Sequence, residues 1–563
     1  MNNIKAWFSS GTPWIWLTAG AVSISIVLVG GLLLLILIRG GAHFWPAQII
    51  ETTVQGEDGQ RVRVLGEVTD SETLTLGMLK AAGRPLPDDP DVEFVTRYLF
   101  KQGNKDITGR DFVWHMETNM DEWRYPENAI MLERREWGNF YGYPVRIIEN
   151  DKVVAENDAL AVFAELQERL EYSNDLVARI NNIERYAIGD INYKIENARL
   201  RLRKLEFRAD EIAPDELARM RATIDAEIEG YTAEYNVVKA ERDQLMEDIK
   251  RDKFVAETMA GREITIPLRN IVRANLPNAM GVFEKLGFYF DKLYEFIFGY
   301  PREANTEGGV FPAIFGTISM VLIMSVMVTP FGILAAIYLR EYAKQGPLLK
   351  VIRISVYNLA GVPSIVFGVF GLGFFVYFLG GSIDKLFYPE LAPAPVFGTP
   401  GLFWASLTLA LLTLPVVIVA TEEGLARIPS TIRQGSLALG ATKAETLWRV
   451  VVPLAAPAMM TGLILAVARA AGEVAPLMLV GVVKLAPTLP IDGNFPFVHM
   501  ERKIMHLGFH IYDVGFQSPN VEAARPLVYA TALLLILIII SLNLTAIHIR
   551  NRLREKYRAA EEN

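Results

Sequence analysis

Six long apolar runs constrain this chain more than any other feature. They cover roughly Trp14 to Ile38, Phe311 to Leu339, Ile354 to Ile383, Gly401 to Ala420, Ala455 to Val483 and Pro526 to Ile547, and all but one lack Asp, Glu, Lys and Arg. Each reaches the ~20 residues that a helix needs to cross hydrocarbon. Backbone groups there have no water to bond and must satisfy one another within the segment, so such runs are read as spanning helices. The expected fold class is an all-α polytopic membrane protein with six transmembrane helices. An apolar content of 51% over 563 residues is only modestly high, because a long polar stretch separates the first run from the second.

The first run is longer than the ~7–15 residues of a signal-peptide core, and no clear small-x-small cleavage site follows, so it is read as an uncleaved anchor. Basic residues orient the bundle. Arg340, Lys344, Lys350 and Arg353 follow the second run, Arg427, Arg433, Lys443 and Arg449 follow the fourth, and Arg550, Arg552, Arg554, Lys556 and Arg558 follow the sixth. With six spans these segments share one side, which the positive-inside rule assigns to the cytoplasm. Both termini are then cytoplasmic, and the polar stretch between the first two spans is an extracytoplasmic insertion. The absence of cysteine leaves that assignment open in either direction.

Three organisational units follow: residues 1–39 as N terminus and first span, 40–301 as the insertion, and 302–563 as the five-span core. Within the insertion, residues 40–150 mix short alternating stretches with Gly and Pro, which points to a small α+β or β-rich unit. Residues 158–252 change character. Apolar residues recur at spacings of three and four from Phe163 to Leu205 and again from Leu217 to Ile249, with charged flanks, the pattern of a coiled coil. Pro214 forbids one continuous helix, so an antiparallel helical hairpin is expected, its arms projecting about 60 Å from the membrane at 1.5 Å per residue. Residues 263–301, rich in Phe and Tyr toward their end, read as an amphipathic segment on the bilayer surface or a helix packed on the spans.

Several chemistries are excluded or weakly signalled. No P-loop occurs, so ATP hydrolysis would have to reside in a partner chain, and the chain is not read as an enzyme. No nucleophile arrangement is present, no cofactor is implied, and a net charge of −8 gives no sign of nucleic-acid binding. His506 and His510 are spaced for a metal on a helix, but no Cys or third His completes a set. They are expected to be solvated histidines, and no metal site is assigned.

The fifth run carries the one charged pair, Arg469 and Glu473. Ionisable residues within a span are costly and usually face a bundle interior or an aqueous path. At i and i+4 on a helix they share a face and can pair. A guanidinium fork suits the oxygens of phosphate, and a carboxylate beside it can accept a proton that phosphate carries and sulfate lacks. A buried pair that only sets helix register is the alternative.

Ahead of this run, Thr421 to Pro453 form a polar, helix-prone loop around Gly440. It resembles the EAA motif of ABC importer permeases. Gln434, Gly435 and Ser436 stand for Glu-Ala-Ala, Gly440 fits, and Val450, Val452 and Pro453 close the motif at the family's spacing. Two positions depart from it, since Gln434 lacks the usual charge and Gly435 replaces alanine. Glu422 and Glu423, near the loop's start, are expected to supply charge instead. The series NTEGG from Asn305, TPFGILAAIYLREYA from Thr329, IRISVYNLAGVPSIVFG from Ile352 and ARAAGEVAPLML from Ala468 narrows the resemblance. Together these are similar to the PstA family, permease subunits of bacterial phosphate-specific ABC importers, in a form with a large N-terminal insertion.

The resemblance implies a type I ABC importer permease fold in the bacterial inner membrane. It implies partners: a second permease of PstC type, a dimer of ATP-binding subunits of PstB type, a phosphate-binding protein of PstS type, membrane lipid, and inorganic phosphate as cargo. It implies that residues 421–453 fit the ATPase, through Glu422, Glu423, Gln434, Gly435, Ser436, Gly440 and Pro453, and that Arg469 and Glu473 take part in transport. A permease for another oxyanion, or a receptor or scaffold sensing phosphate supply, competes with this reading. The shortness of the cytoplasmic segments disfavours the receptor, which would need an output domain.

Overall fold

The computed structural model describes residues 7, 9–55, 60–81, 93–302, 305–486, 488–518 and 521–559. The first six residues, expected as a short cytoplasmic N terminus, lie outside these. Among the described residues, six helices are long and apolar enough to cross a membrane: Thr12–Ala42 (α1), Phe311–Tyr342, Ser364–Phe387, Leu402–Arg427, Lys443–Ala471 and Ala524–Arg552. All six expected spans are present, with two changed boundaries. The third expected span began at Ile354, but residues 347–359 form a separate amphipathic helix, because Gly361 and Pro363 break the chain before Ser364. The fifth was expected to run to Val483, but its helix stops at Ala471.

The chain is not all-α. Two sheets occupy the insertion. A four-stranded meander joins β1 (Ile49–Gln55), β2 (Arg61–Thr75), β3 (Phe94–Lys101) and β4 (Phe112–Met116). A six-stranded sheet follows the order β10-β5-β6-β8-β9, with β7 also paired to β6. Its strands are β5 (Ile130–Arg134), β6 (Phe140–Glu149), β7 (Lys152–Glu156), β8 (Asp252–Glu257), β9 (Glu263–Pro267) and β10 (Ile271–Asn275). Residues 263–267 and 271–275, expected in an amphipathic segment, are therefore strands. Their alternation buries Ile266, Ile271 and Ala274 against the core formed by Leu132, Phe140 and Phe254.

Between β7 and β8 the chain leaves the sheet and returns to it as a helical hairpin. The outgoing arm is α2 (Ala159–Asn182), a π-turn at Ile183–Ala187, and α3 (Ile188–Phe207); the returning arm is α4 (Pro214–Asp248). Pro214 opens α4, where its missing N–H costs nothing. Leu176 and Ile180 pack on Leu245 and Ile249, and Ala198 and Leu205 on Ile224, so the arms are antiparallel. The hairpin does not project freely. The Tyr193 hydroxyl donates to the Phe495 carbonyl, Asn494 Nδ2 donates to Asp190 at 2.9 Å, Lys204 Nζ lies 2.9 Å from Glu390, and Arg203 donates to the Ala392 carbonyl at 3.0 Å. At its other end, the Arg185 guanidinium lies 3.7 Å from the Tyr300 ring centre. The α3 arm thus crosses two connections between spans, and several of its charged groups are matched to groups far along the chain.

The insertion is also fastened from below. Buried Glu133 of β5 pairs with Lys292 and Arg302, and Arg302 binds Glu295 at 2.5 Å. Lys292 and Glu295 belong to α5 (Val282–Phe298), whose Phe283, Phe290, Tyr294 and Phe298 stay exposed. Burial pushes the Glu133 carboxyl up, but the charges of Lys292, Arg302 and Arg273 outweigh it and hold the group at about 2.

Within the bundle, α6 (Phe311–Ile337) precedes the amphipathic α7 (Pro347–Leu359) and α8, the third span Ser364–Phe387. The central helix is α9 (Leu402–Arg427), packed on α6 and on the fifth span. The loop helix α10 (Ser430–Ala438), α11 (the fifth span, Lys443–Ala471), the short turn α12 (Leu477–Val480), α13 (Leu507–Phe516) and α14 (Val521–Ala559) complete the chain. The first span packs along α14 with Gly40 at the contact, where a Cβ would lie 2.9 Å from the Tyr529 carbonyl oxygen.

Candidate functional site

α9 and α11 run antiparallel and approach through small residues. A Cβ on Gly424 would lie 2.3 Å from Ala458 Cβ, and one on Gly462 would lie 2.7 Å from Ala420 Cβ. Both pairs obey one antiparallel register, four residues further along one helix for four back along the other. Extending it puts Arg469 level with Thr413, near the middle of the span Leu402–Arg427. The α11 helix therefore ends halfway along its neighbour. Gly472 and Pro476 bracket the break: Gly472 N–H bonds back to Arg469 O at 3.3 Å, and helical structure resumes only at Leu477. Close packing covers the unwound backbone, because a Cβ on Gly368 of α8 would lie 2.6 Å from Pro476 Cα. Non-helical backbone at membrane depth is tolerated only where protein buries it or where it lines a cavity.

The charged pair sits at this break. Arg469 occupies the last turn of α11, while Glu473 lies beyond the helix end, so the two do not share a helical face as the spacing had suggested. They still meet, Arg469 Nε to Glu473 Oε1 at 3.5 Å, with the arginine side chain 34% exposed and the carboxylate 17%. One loose contact leaves most of the guanidinium's donors unused, and no hydrogen bond from them forms among the described residues. A half-open cation with spare donors, beside a carboxylate, can take up an oxyanion without first breaking a tight ion pair. The signal for the break was present in the sequence as Gly-Glu-Val-Ala-Pro, but the apolar run around it masked it.

The polar loop is well ordered. Gly440 takes φ +91°, a left-handed conformation that glycine adopts without strain, and a Cβ there would meet nothing within 4 Å. Thr442 and Glu445 form a reciprocal capping box that starts the following helix, with Glu445 N–H to Thr442 Oγ1 at 3.2 Å and Thr442 N–H to Glu445 Oε2 at 2.9 Å. Gln434 and Gly435 are exposed, and Ser436 bonds the Thr446 hydroxyl at 2.9 Å. Pro453 continues the helix after a π-turn at Leu447–Val451, which absorbs the i−4 clash of the ring. Exposed Leu437, Leu439 and Trp448 give the loop an apolar tip.

The two glutamates differ. Glu423 is exposed, but Glu422 is buried and bound to Arg353 of α7 at 2.5 Å, so its charge is consumed within the chain. Arg433 was not singled out from the sequence. It donates to the Leu425 and Ile428 carbonyls and to Glu341, each within 2.8 Å, and so ties the loop to the ends of two spans. His506 and His510 are buried rather than solvated. His506 Nδ1 caps α13 by accepting from Phe509 N–H, and His510 meets the Thr531 hydroxyl, both at 3.3 Å.

Comparison with known proteins decides the family. The model described as "Binding-protein-dependent transport system inner membrane component" matches residues 328–555. The phosphate transport system permease protein PstA 1 of Mycobacterium tuberculosis (strain CDC 1551 / Oshkosh) is 35% identical over 43% of this chain and 71% of its own length. The chain belongs to the PstA permease family. PstA of Yersinia pestis is 32% identical over 44% of this chain and 74% of its own length, and the probable PstA of Methanocaldococcus jannaschii is 28% identical over 42% and 74%. A PstA-family chain is a multi-pass membrane protein of the type I ABC permease fold, and residues 40–301 here lie outside the family match.

Proposed function

We propose that this chain is the permease subunit of an ABC importer that carries inorganic phosphate inward across the inner membrane. It pairs with a second permease of PstC type to enclose the path. A PstB-type ATPase dimer, docked on residues 421–453, hydrolyses ATP, and a PstS-type binding protein delivers phosphate to the opposite face. The positive-inside asymmetry supports cytoplasmic termini and an extracytoplasmic insertion. The observation that carries the reading is Arg469 with Glu473 at a helix break midway along the bundle, in a chain whose relatives are named phosphate permeases.

Phosphate arriving at the break meets a fork of N–H donors and a positive charge. Glu473, 3.5 Å away, holds the arginine in place without substrate and accepts a hydrogen bond from the protonated oxygen of HPO₄²⁻. Sulfate has no such proton and would set its lone pairs against the carboxylate. Gln434, Gly435, Ser436, Gly440 and Glu423 supply the face toward the ATPase, with Pro453 at the base of the following helix.

Radiolabelled phosphate uptake in cells lacking their own importer tests the assignment. Arg469→Gln is expected to abolish uptake at wild-type membrane levels, and Arg469→Lys to restore little, because a point charge lacks the planar fork. Glu473→Gln is expected to weaken discrimination against sulfate. If the pair only sets helix register, an apolar double replacement keeps transport, since buried pairs are often replaceable without loss of stability. Uptake surviving in that double variant would remove the pair from the path.

A further inference from the structure

We propose that a pocket on the loop side of the bundle, between α9, α11 and α14, is a binding site for the phosphate headgroup of an anionic phospholipid. The inference rests on the cytoplasmic orientation of the C-terminal helix proposed above and is independent of what the transporter carries. Three guanidiniums line the pocket, Arg427 at the end of α9 and Arg550 and Arg554 on α14, around a cavity of about 490 Å³. Arg427 and Arg554 are exposed and Arg550 is half-buried. Glu423 and Glu555 lie near them in sequence, yet no carboxylate comes within 4.0 Å of any of the three among the described residues. Two other arginines on this side do have acid partners: Arg353 binds Glu422 and Arg433 binds Glu341.

Three cations lining one pocket, with no carboxylate within 4.0 Å among the described residues, repel one another, and an anion between them removes that cost. The remaining wall selects the kind of anion. It is formed by Leu454, Pro457 and Thr461 of α11 with Ile428 and Ile432 beyond the end of α9, an apolar surface that continues toward exposed Leu465 on the same helix. A headgroup held by the arginines would lay its acyl chains along that surface. Basic pockets between spans at the cytoplasmic boundary suit such lipids, and each basic residue near the surface adds to the attraction. Free phosphate shares the headgroup chemistry but has no use for the apolar wall.

Native mass spectrometry of the full-length chain in mild detergent, titrated separately with phosphatidylglycerol, phosphatidylcholine and millimolar inorganic phosphate, tests this. The site predicts saturable retention of one phosphatidylglycerol over phosphatidylcholine. In Arg427→Gln/Arg550→Gln/Arg554→Gln that retention should weaken on the order of a hundredfold. Lys344→Gln/Lys350→Gln/Arg552→Gln, equal in charge but away from the pocket, should retain the lipid as the wild type does. Thr461→Trp fills the pocket from its apolar wall without altering charge and should also release the lipid, which covers failure of the triple variant to fold. Equal loss in both triple variants would reduce the effect to surface charge and overturn the proposal. So would saturable binding of inorganic phosphate in place of lipid, or loss of the lipid when the ATPase subunit is added, which would assign the arginines to that interface.

Discussion

At the scale of single residues, Gly440 offers a way to separate what the chain needs from what the proposed ATPase contact needs. Its positive φ makes any side chain costly by about 1 kcal/mol, yet the space around it is open. Within this chain, alanine and tryptophan should therefore cost much the same. We expect Gly440→Ala to keep most phosphate uptake and Gly440→Trp to lose it, with equal membrane levels, because only a docked ATPase distinguishes their sizes. Equal uptake by the two would remove the loop from the interface. The histidines lead to a pH dependence. Burial lowers His506 to about 3 and His510 to about 4, so the folded chain keeps both neutral while an unfolded chain protonates them near 6.5. Their folded-state values are depressed, so the unfolded state binds more protons as pH falls, and stability present above about 6.5 is lost below it. Each should cost about 2 kcal/mol by pH 5. Thermal melts in detergent should fall in midpoint from pH 7.5 to 5, with a shallower fall in His506→Gln/His510→Gln; identical slopes would contradict this. Nothing in the spacing of these histidines revealed their burial, which depends on Thr531 and Phe509 closing over them.

At the scale of elements, the spans and the hairpin were legible because each rests on periodicity and length, properties local to a segment. The sheets were legible only as a tendency in residues 40–150. Strands β8 and β10 complete their sheet with partners more than a hundred residues earlier, and the short alternating runs of β9 and β10 were read with the aromatic helix that follows. The helix break at Gly472 was hidden by composition, since residues on both sides of it are apolar. The posture of the hairpin was not legible at all, because it depends on pairs such as Lys204 with Glu390. That posture is testable with little background, since the chain has no cysteine of its own. A short bis-maleimide should link Lys204→Cys to Glu390→Cys within one chain, while Met220→Cys with Glu390→Cys, the first on the returning arm, should remain unlinked. A freely projecting hairpin would leave both pairs unlinked. The contacts of α3 with two connections between spans also mean that the insertion and the bundle move together or exchange these bonds during transport.

At the scale of the whole molecule, a five-span core of PstA type carries the proposed path and the proposed coupling loop. An insertion braced by Glu133, Lys292 and Arg302 below and by α3 above covers the far side of the bundle. The core's family was readable from the loop at 421–453 and the series at Asn305, Thr329, Ile352 and Ala468, each a local run of residues that needs no distant partner to be recognised. The insertion carries no comparable constraint, and its part in transport follows only from where it touches the bundle. Phosphate is the cargo proposed to be recognised at Arg469. The most direct measurement is ATP-driven uptake of labelled phosphate into proteoliposomes holding this chain with its partner permease and ATPase, supplied with binding protein, against labelled sulfate and molybdate. Uptake of phosphate alone is expected, lost with Arg469→Gln while the complex still assembles. Uptake of sulfate or molybdate at a comparable rate, or phosphate uptake undiminished in the Arg469→Gln complex, would contradict it.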